Sequence, residues 1–439
     1  MSNTHADTVA FVRETMLPEK APPGTSVGAV GWAKENLFSG WFNSILTIAS
    51  IFLIYTVLAA ILPWIFSPTW NATSLSQCRE ILSGLGREGH LTGACWGVIR
   101  ERWPQLLFGF YPDELRWRPI LDLILLGVAV APVLFSGVSR KLLLVTAIYP
   151  FIMPWLLWGG SVWVPVTVAL GFVLGYLATK YLTEVIGSLG GMIAGVITAF
   201  VWWFALMGPV QELLSSILPL ALEAVDSRNF GGFMLSIAIG VVAIGLSLPI
   251  GIVLALGRQS DLLIVKALCV GFIEFIRGVP LITLLFVAST LLNIFLPPGT
   301  NFDIILRVII MVTLFASAYM AEVVRGGLAA LPTGQYEAAD ALGLDYWKSQ
   351  RLIIMPQALK ISIPGIVSTF IGVFKDTTLV SIIGLLDPLG LTTAIRADAN
   401  WNGIVWELYG FVALMFFVFC FSMSRYSMYL ERKLQTGHN

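Results

Sequence analysis

Charge is scarce in this chain. Of 439 residues, 26 are Lys or Arg and 26 are Asp or Glu, 12% in all. That is about half the share of a soluble globular protein. The two signs balance, so whole-molecule charge says nothing about partners, and the low share of charge argues against a nucleic-acid-binding chain. Four Cys are too few for a disulfide scaffold, and Cys269 and Cys420 lie in apolar runs. The three His (His5, His90 and His438) have no partners at metal-ligand spacing. No G-x-x-x-x-G-K-[ST] segment is present, so the chain has no phosphate-cradling loop of its own. Neither a Ser/His/Asp nor a Cys/His arrangement is legible. These absences argue against an enzyme and against any bound cofactor or metal.

What is abundant is apolar. Hydrophobic residues make up 57% of the chain, and mean hydropathy is +0.84. Fifteen Trp and 27 Phe suit interfacial aromatic belts. A lipid bilayer is therefore the expected solvent. A spanning helix needs about 20 apolar residues, and ten candidates fit: 44–66, 119–137, 142–160, 162–179, 189–210, 232–256, 268–296, 304–324, 361–385 and 404–426. The runs are continuously apolar rather than alternating, which excludes a barrel. The fold class is an all-α polytopic membrane bundle. Residues 213–221 are too short to span and read as an interfacial helix or an extension of the fifth span.

Lys and Arg in short loops set orientation. Arg140, Lys141, Lys180, Arg258, Lys348, Arg351, Lys360, Arg432 and Lys433 fall on one side if residues 1–43 form a cytoplasmic tail. That tail shows no cleavable signal pattern. Loop 67–118 disagrees, with six Arg and five carboxylates. It is assigned to the periplasm, because moving it inside would expel Arg140 and Lys141.

The longest polar interruption of the second half is 325–360. Pro332-Thr333 reads as a helix start with Thr333 as N-cap. Gly343 reads as its left-handed stop. Asp345 then caps a second short helix through Arg351, and Pro356 marks its end or a bend. Tyr336, Ala339, Leu342, Gly343 and Tyr346 are expected on one apolar face. Such a face lies on the protein's own surface or docks into a groove of another protein.

The spacing Glu337-Ala338-Ala339, three residues, Gly343, nine residues, Ile353-Ile354-Met355-Pro356 resembles the EAA loop of ABC importer permeases, E-A-A-x₃-G-x₉-I-x-L-P. Only Met355 departs, a nearly volume-conserving change from Leu. Phe272-Ile273-Glu274-Phe275-Ile276-Arg277-Gly278-Val279-Pro280-Leu281 looks like a segment of the polar amino-acid permeases of that family. Ala318 through Gly327 and Phe374 through Ser381 look like two more. The N-terminal half, with Ala94-Cys95-Trp96 and Phe108 through Pro112, is similar to the M-type permeases of general L-amino-acid importers.

The resemblance implies a five-span core at 232–430 preceded by an N-terminal membrane region at 44–211. It implies a multi-pass place in the bacterial inner membrane and an L-amino-acid substrate. It also implies an ATP-binding-cassette ATPase dimer, a second permease chain in a heterodimer and a periplasmic amino-acid-binding protein. Glu337, Ala338, Ala339, Gly343, Ile353 and Pro356 would then couple ATP hydrolysis to alternating access. An ion-coupled secondary transporter or channel is the alternative, but it has no reason for such a loop.

Glu274, Arg277, Glu322, Arg325, Lys375 and Asp376 lie in or beside predicted spans, where an isolated charge costs about 2.5–3.5 kcal/mol. They either pair structurally, Lys375 with Asp376 or Glu322, or line a route for an amino acid. Gly278-Val279-Pro280 is expected to break the seventh helix. Gly171/Gly175 and Gly191/Gly195 are assigned only to helix contact. Cys78 and Cys95 share loop 67–118, and sixteen residues separate them. A disulfide is expected there, with Trp96, Phe108 and Tyr111 clustered over it.

Overall fold

The computed structural model describes residues 28–86, 93–291 and 303–435. The first 27 residues of the tail, His5, His90, His438 and the predicted end of the seventh span at 292–296 lie outside them. Contacts divide the chain into two units. One holds the described residues up to Pro68 together with Ile81–Ala94. Its span Trp41–Ile65 has no buried residue within the chain.

The second unit holds Thr69–Glu80 and everything from Cys95 onward. Among the described residues, nine helices of the chain are long and apolar enough to cross a membrane, and one bent pair adds a tenth. After the first they are Asp113–Leu134, Arg140–Trp158, Trp163–Ser188, Gly190–Ile217, Gly232–Arg258, the pair Leu263–Gly278 with Leu281–Thr290, Ile304–Ala329, Tyr346–Ile383 and Trp406–Leu434. The pair bends by 100°. The break falls at Val279-Pro280, where proline removes a backbone donor and its ring disfavours helix in the residue before it. Residues 213–217 extend the fifth span instead of forming a separate interfacial helix.

Lipid gives helices no hydrophobic reason to associate, so close backbone approach has to hold them together. The sixth span supplies it with Ala243, Ser247, Gly251 and Ala255, one small residue per turn, all buried. This stripe meets Val312, Ala316, Met320 and Ala321 of the eighth span in two clusters. Met153, Leu157 and Tyr149 of the third span join the first cluster, so the N-terminal spans share the core of the later ones. Between the fourth and fifth spans, a Cβ on Gly195 would collide with Thr179 and Gly175.

Consecutive spans alternate ends, so residues 95–112, 218–231 and 384–405 gather opposite 330–345. Phe110 N–H donates to the Asn229 carbonyl (3.1 Å), Gly232 N–H to Leu386 (2.8 Å) and Leu75 N–H to Asn400 (2.8 Å). Gly160–Ser161 pairs antiparallel with Ala221–Leu222 at the same end. Four of the six Arg in loop 67–118 are engaged there. Arg102 pairs with Asp398 at 2.6 Å, Arg100 with Glu101, and Arg116 with Asp113. Arg118 donates to the Glu223 carbonyl.

Candidate functional site

The segment between the eighth and ninth spans begins at Pro332, whose ψ of 140° is extended. Thr333 is therefore the first helical residue of Thr333–Ala341 and not its N-cap, and no side chain caps this end. The far end is closed more firmly. Gly343 has φ +68°, Gly343 N–H donates to the Asp340 carbonyl (2.9 Å), and Leu344 N–H reaches back to Ala339 (3.2 Å). This reciprocal pair is the Schellman arrangement, which satisfies carbonyls that helix ends leave open. Asp345 caps the next helix, accepting from Lys348 N–H at 2.9 Å. Hydrogen bonds from Lys348 hold the Asp345 carboxyl below its ordinary range.

That second helix does not stop at Arg351. Tyr346–Ser349 passes through a π-helical turn, Gln350–Ile354, directly into Met355–Asp376. Pro356 neither ends nor visibly breaks it, because the wide turn just before the proline accommodates its missing donor. The segment is thus the N-terminal end of the ninth span.

The expected shared face is divided. Ala339 is fully buried, and Tyr336 and Ile353 rest half-buried against Leu328, Ile354 and Ala358. Leu342 and Trp347 are 72% and 71% exposed, and Tyr346 is 53% exposed. The reversal at Gly343 ends the helical register at Leu342, which carries these residues off the bundle. Glu337, Ala338, Gly343 and Pro356 are exposed as well.

Next to this segment lies an ionic cluster. Arg258 Nη1 stands 2.7 Å from Glu274 Oε1 and 2.9 Å from Glu322 Oε1. Arg325 meets Glu322 Oε2 at 2.9 Å, and Arg277 lies 3.7 Å from the same oxygen with its guanidinium over the Tyr319 ring. One carboxylate thus gathers arginines from three spans. Arg258, read from sequence only as an orientation signal, is the bridge. The signal that could have found it is two carboxylates facing a span end with one cation. Lys375 and Asp376 stand apart, near the C-terminal end of the ninth span, and among the described residues neither forms an ion pair. Glu322 is not the partner expected for Lys375, because three arginines already surround it.

At the end that gathers residues 95–112 and 384–405, Cys78 and Cys95 are joined, with Cα atoms 6.0 Å apart and both side chains buried. Cys95 N–H donates to Glu407 Oε1 (2.9 Å). Trp96 stacks on Trp70. Phe108 and Tyr111 instead enter the central core beside Phe230, so the expected cluster over the bridge does not form. Burial raises the Tyr111 hydroxyl above its ordinary value, and that hydroxyl donates to the Leu157 carbonyl.

Residues 247–436 match the family described as "Binding-protein-dependent transport system inner membrane component". Over 432 residues, 98% of this chain and 99% of the relative, the sequence is 59% identical to the glutamate/glutamine/aspartate/asparagine transport system permease protein BztC of Rhodobacter capsulatus. It is 40% identical to the inner membrane amino-acid ABC transporter permease protein YhdY of Escherichia coli, covering 96% and 97% of the two chains. A solved amino acid ABC transporter described as crystallised with histidines is 28% identical over 46% of this chain and 91% of that one, with a TM-score of 0.42.

Proposed function

Because the chain belongs to the inner-membrane permease subunits of amino-acid ABC transporters, we infer that its substrates are acidic L-amino acids and their amides, and that a separate ATPase powers their import. The substrate range is carried over from the 59% identical relative, which aligns along nearly the full chain. The partners follow from the permease role: an ATP-binding-cassette dimer inside, a second permease chain beside the core at 232–430, and a periplasmic amino-acid-binding protein outside. The absence of a phosphate loop agrees with this division of labour.

One observation carries the coupling role. The turn after a helix closed by its own backbone presents Leu342 outward, the next helix presents Tyr346 and Trp347, and Ala339 and Ile353 anchor the pair inward. Apolar side chains this exposed on a cytoplasmic segment fit a groove on a partner. The segment continues as one helix into the ninth span, so a push on Trp347 moves Tyr346–Ile383 as a lever. Ser362 Oγ donates to the Val323 carbonyl (3.1 Å), which passes the movement to the eighth span and its ionic cluster. In this reading Glu274, Arg277 and Glu322 guard the inner end of the route, and Lys375 and Asp376 line it farther out.

The test is uptake and crosslinking in membranes containing the assembled transporter. Leu342→Cys is expected to crosslink to the ATPase. Leu342→Ala combined with Trp347→Ala should leave membrane levels intact and reduce ATP-driven uptake at least about tenfold, the loss of a central apolar anchor pair. Unchanged uptake and no crosslink would reject the docking role.

A further inference from the structure

A cavity of about 900 Å³ opens at the outer end, lined by Asp226, Arg228, Ser289, Asp303 and Arg307, with Phe286 and Ile383 beside them. This is within the range of small-molecule sites. We propose that it is an outer receiving site for a zwitterionic amino acid, its α-carboxylate on the Arg228 guanidinium and its ammonium on the Asp226 carboxylate. The inference rests on the amino-acid transport reading above.

Three observations carry it. First, the lining holds two carboxylates and two guanidiniums, and among the described residues neither Asp226 nor Arg228 forms an ion pair. Opposite charges in one cavity that do not neutralise each other match a ligand bearing both signs. Second, the two charges are positioned by one short turn, Ser227–Asn229. Asp226 caps it, accepting from Arg228 N–H at 2.8 Å. Trp158 Nε1 donates to Ser227 Oγ (2.6 Å), Ser227 in turn donates to Asp303, and Phe110 N–H holds the Asn229 carbonyl. A turn tied down on this many sides fixes the Asp226 carboxylate and the backbone that carries Arg228, and both side chains are exposed to an arriving ligand. Third, Asp303 and Arg307 are already engaged. Asp303 caps Ile304–Ala329, and Arg307 Nη1 donates to the Ser289 carbonyl at 2.8 Å. They shape the field of the cavity, while Asp226 and Arg228 keep capacity for a ligand, since a carboxylate accepts about four hydrogen bonds and a guanidinium gives five. The turn is the joint between the fifth and sixth spans, so the N-terminal region would complete the mouth of the five-span core.

The assay uses the whole transport complex in proteoliposomes. Binding of radiolabelled L-glutamate and L-glutamine is measured without the binding protein, and ATP-driven uptake with it. Arg228→Met and Asp226→Asn should each weaken binding about tenfold, the scale of one charge-assisted contact, and Arg228→Lys should recover most of it. Glutamine amidated at its α-carboxylate should bind Arg228→Met and the unaltered complex alike, and N-acetylglutamine should do the same with Asp226→Asn. The proposal is overturned if the unaltered complex imports amino acids yet binds none without the binding protein, or if either variant binds as tightly as the parent. It is also overturned if the substitutions weaken only docking of the binding protein. Failure of the unaltered complex to import any amino acid would instead reject the transport reading itself.

Discussion

At the scale of single residues, Gly343 has little freedom to change. Its φ of +68° lies where a side chain with a branched Cβ is strained, and a Cβ there would meet nothing within 4 Å. The cost of substitution is thus conformational and not steric. Gly343→Val should cost about 1–2 kcal/mol locally and misdirect Tyr346 and Trp347, leaving the inserted chain without coupled uptake. Gly343→Asn, which tolerates the left-handed region, should retain most activity. Equal uptake in the valine and asparagine variants, at matched membrane levels, would mean that the backbone angle is irrelevant to coupling. This residue was legible beforehand because glycine is the usual left-handed helix stop. The cap at the other end was not: Pro332 fixes its own φ and starts the helix without any side-chain oxygen, which removes the role assigned to Thr333.

At the scale of elements, long apolar runs were easy to read and their ends were not. The ninth span was expected from 361, but it begins at Tyr346. Its first turns are polar because they stand outside the lipid, and hydropathy cannot see a helix that continues into water. The bend in the seventh span was legible from Gly278-Val279-Pro280, since proline acts through local backbone chemistry. The small-residue stripe of the sixth span was overlooked in favour of Gly171/Gly175 and Gly191/Gly195, because Ala and Ser serve as well as Gly in such a seam.

Asp387 shows how an element end can set a pH response. It caps Pro388–Arg396, accepting from Leu389 and Gly390 N–H, and is fully buried. Burial pushes its carboxyl up to about 6 against those donors. A folded-state value above the unfolded one means that the native chain binds the proton more tightly. Its contribution to stability is therefore full below about pH 4 and is lost as pH rises through about 6. The loss is of order 2–3 kcal/mol. Asp387→Asn keeps a capping oxygen and does not titrate. Thermal unfolding of the purified complex, measured from acid to neutral pH, should show the wild type losing ground to this variant between about pH 4 and 6. A constant difference across that range would mean that the carboxyl stays ionised throughout.

At the scale of the whole molecule, the question is how the outer loop segments and the permease core became one unit. The loop's arginines were ambiguous in sequence because charge counting treats every Arg as a free cation, while Arg102 is committed to Asp398 and Arg118 to a backbone carbonyl. Partners some 100 to 300 positions away in the chain are invisible to a local reading. The bridge between Cys78 and Cys95 belongs to the same attachment. Cys95 also donates its N–H to Glu407 at the start of the last span, and Leu75, three residues before Cys78, bonds to Asn400. Closing the intervening loop of sixteen residues constrains the unfolded chain by about 3 kcal/mol in the entropy model. Cys78→Ser with Cys95→Ser should therefore lower thermal stability of the purified complex by roughly that amount and loosen the loop from Asn400 and Glu407. The same pair reports orientation. Both thiols should resist maleimide in denatured protein until a reductant is added, and protease added to intact spheroplasts should cut within 67–118 only in the double-serine variant or after reduction. Thiols that react in denatured, unreduced protein would remove the bridge. A loop that stays protected until the inner membrane is opened would place it in the cytoplasm, and with it the proposed receiving site on the wrong side for a ligand arriving from outside.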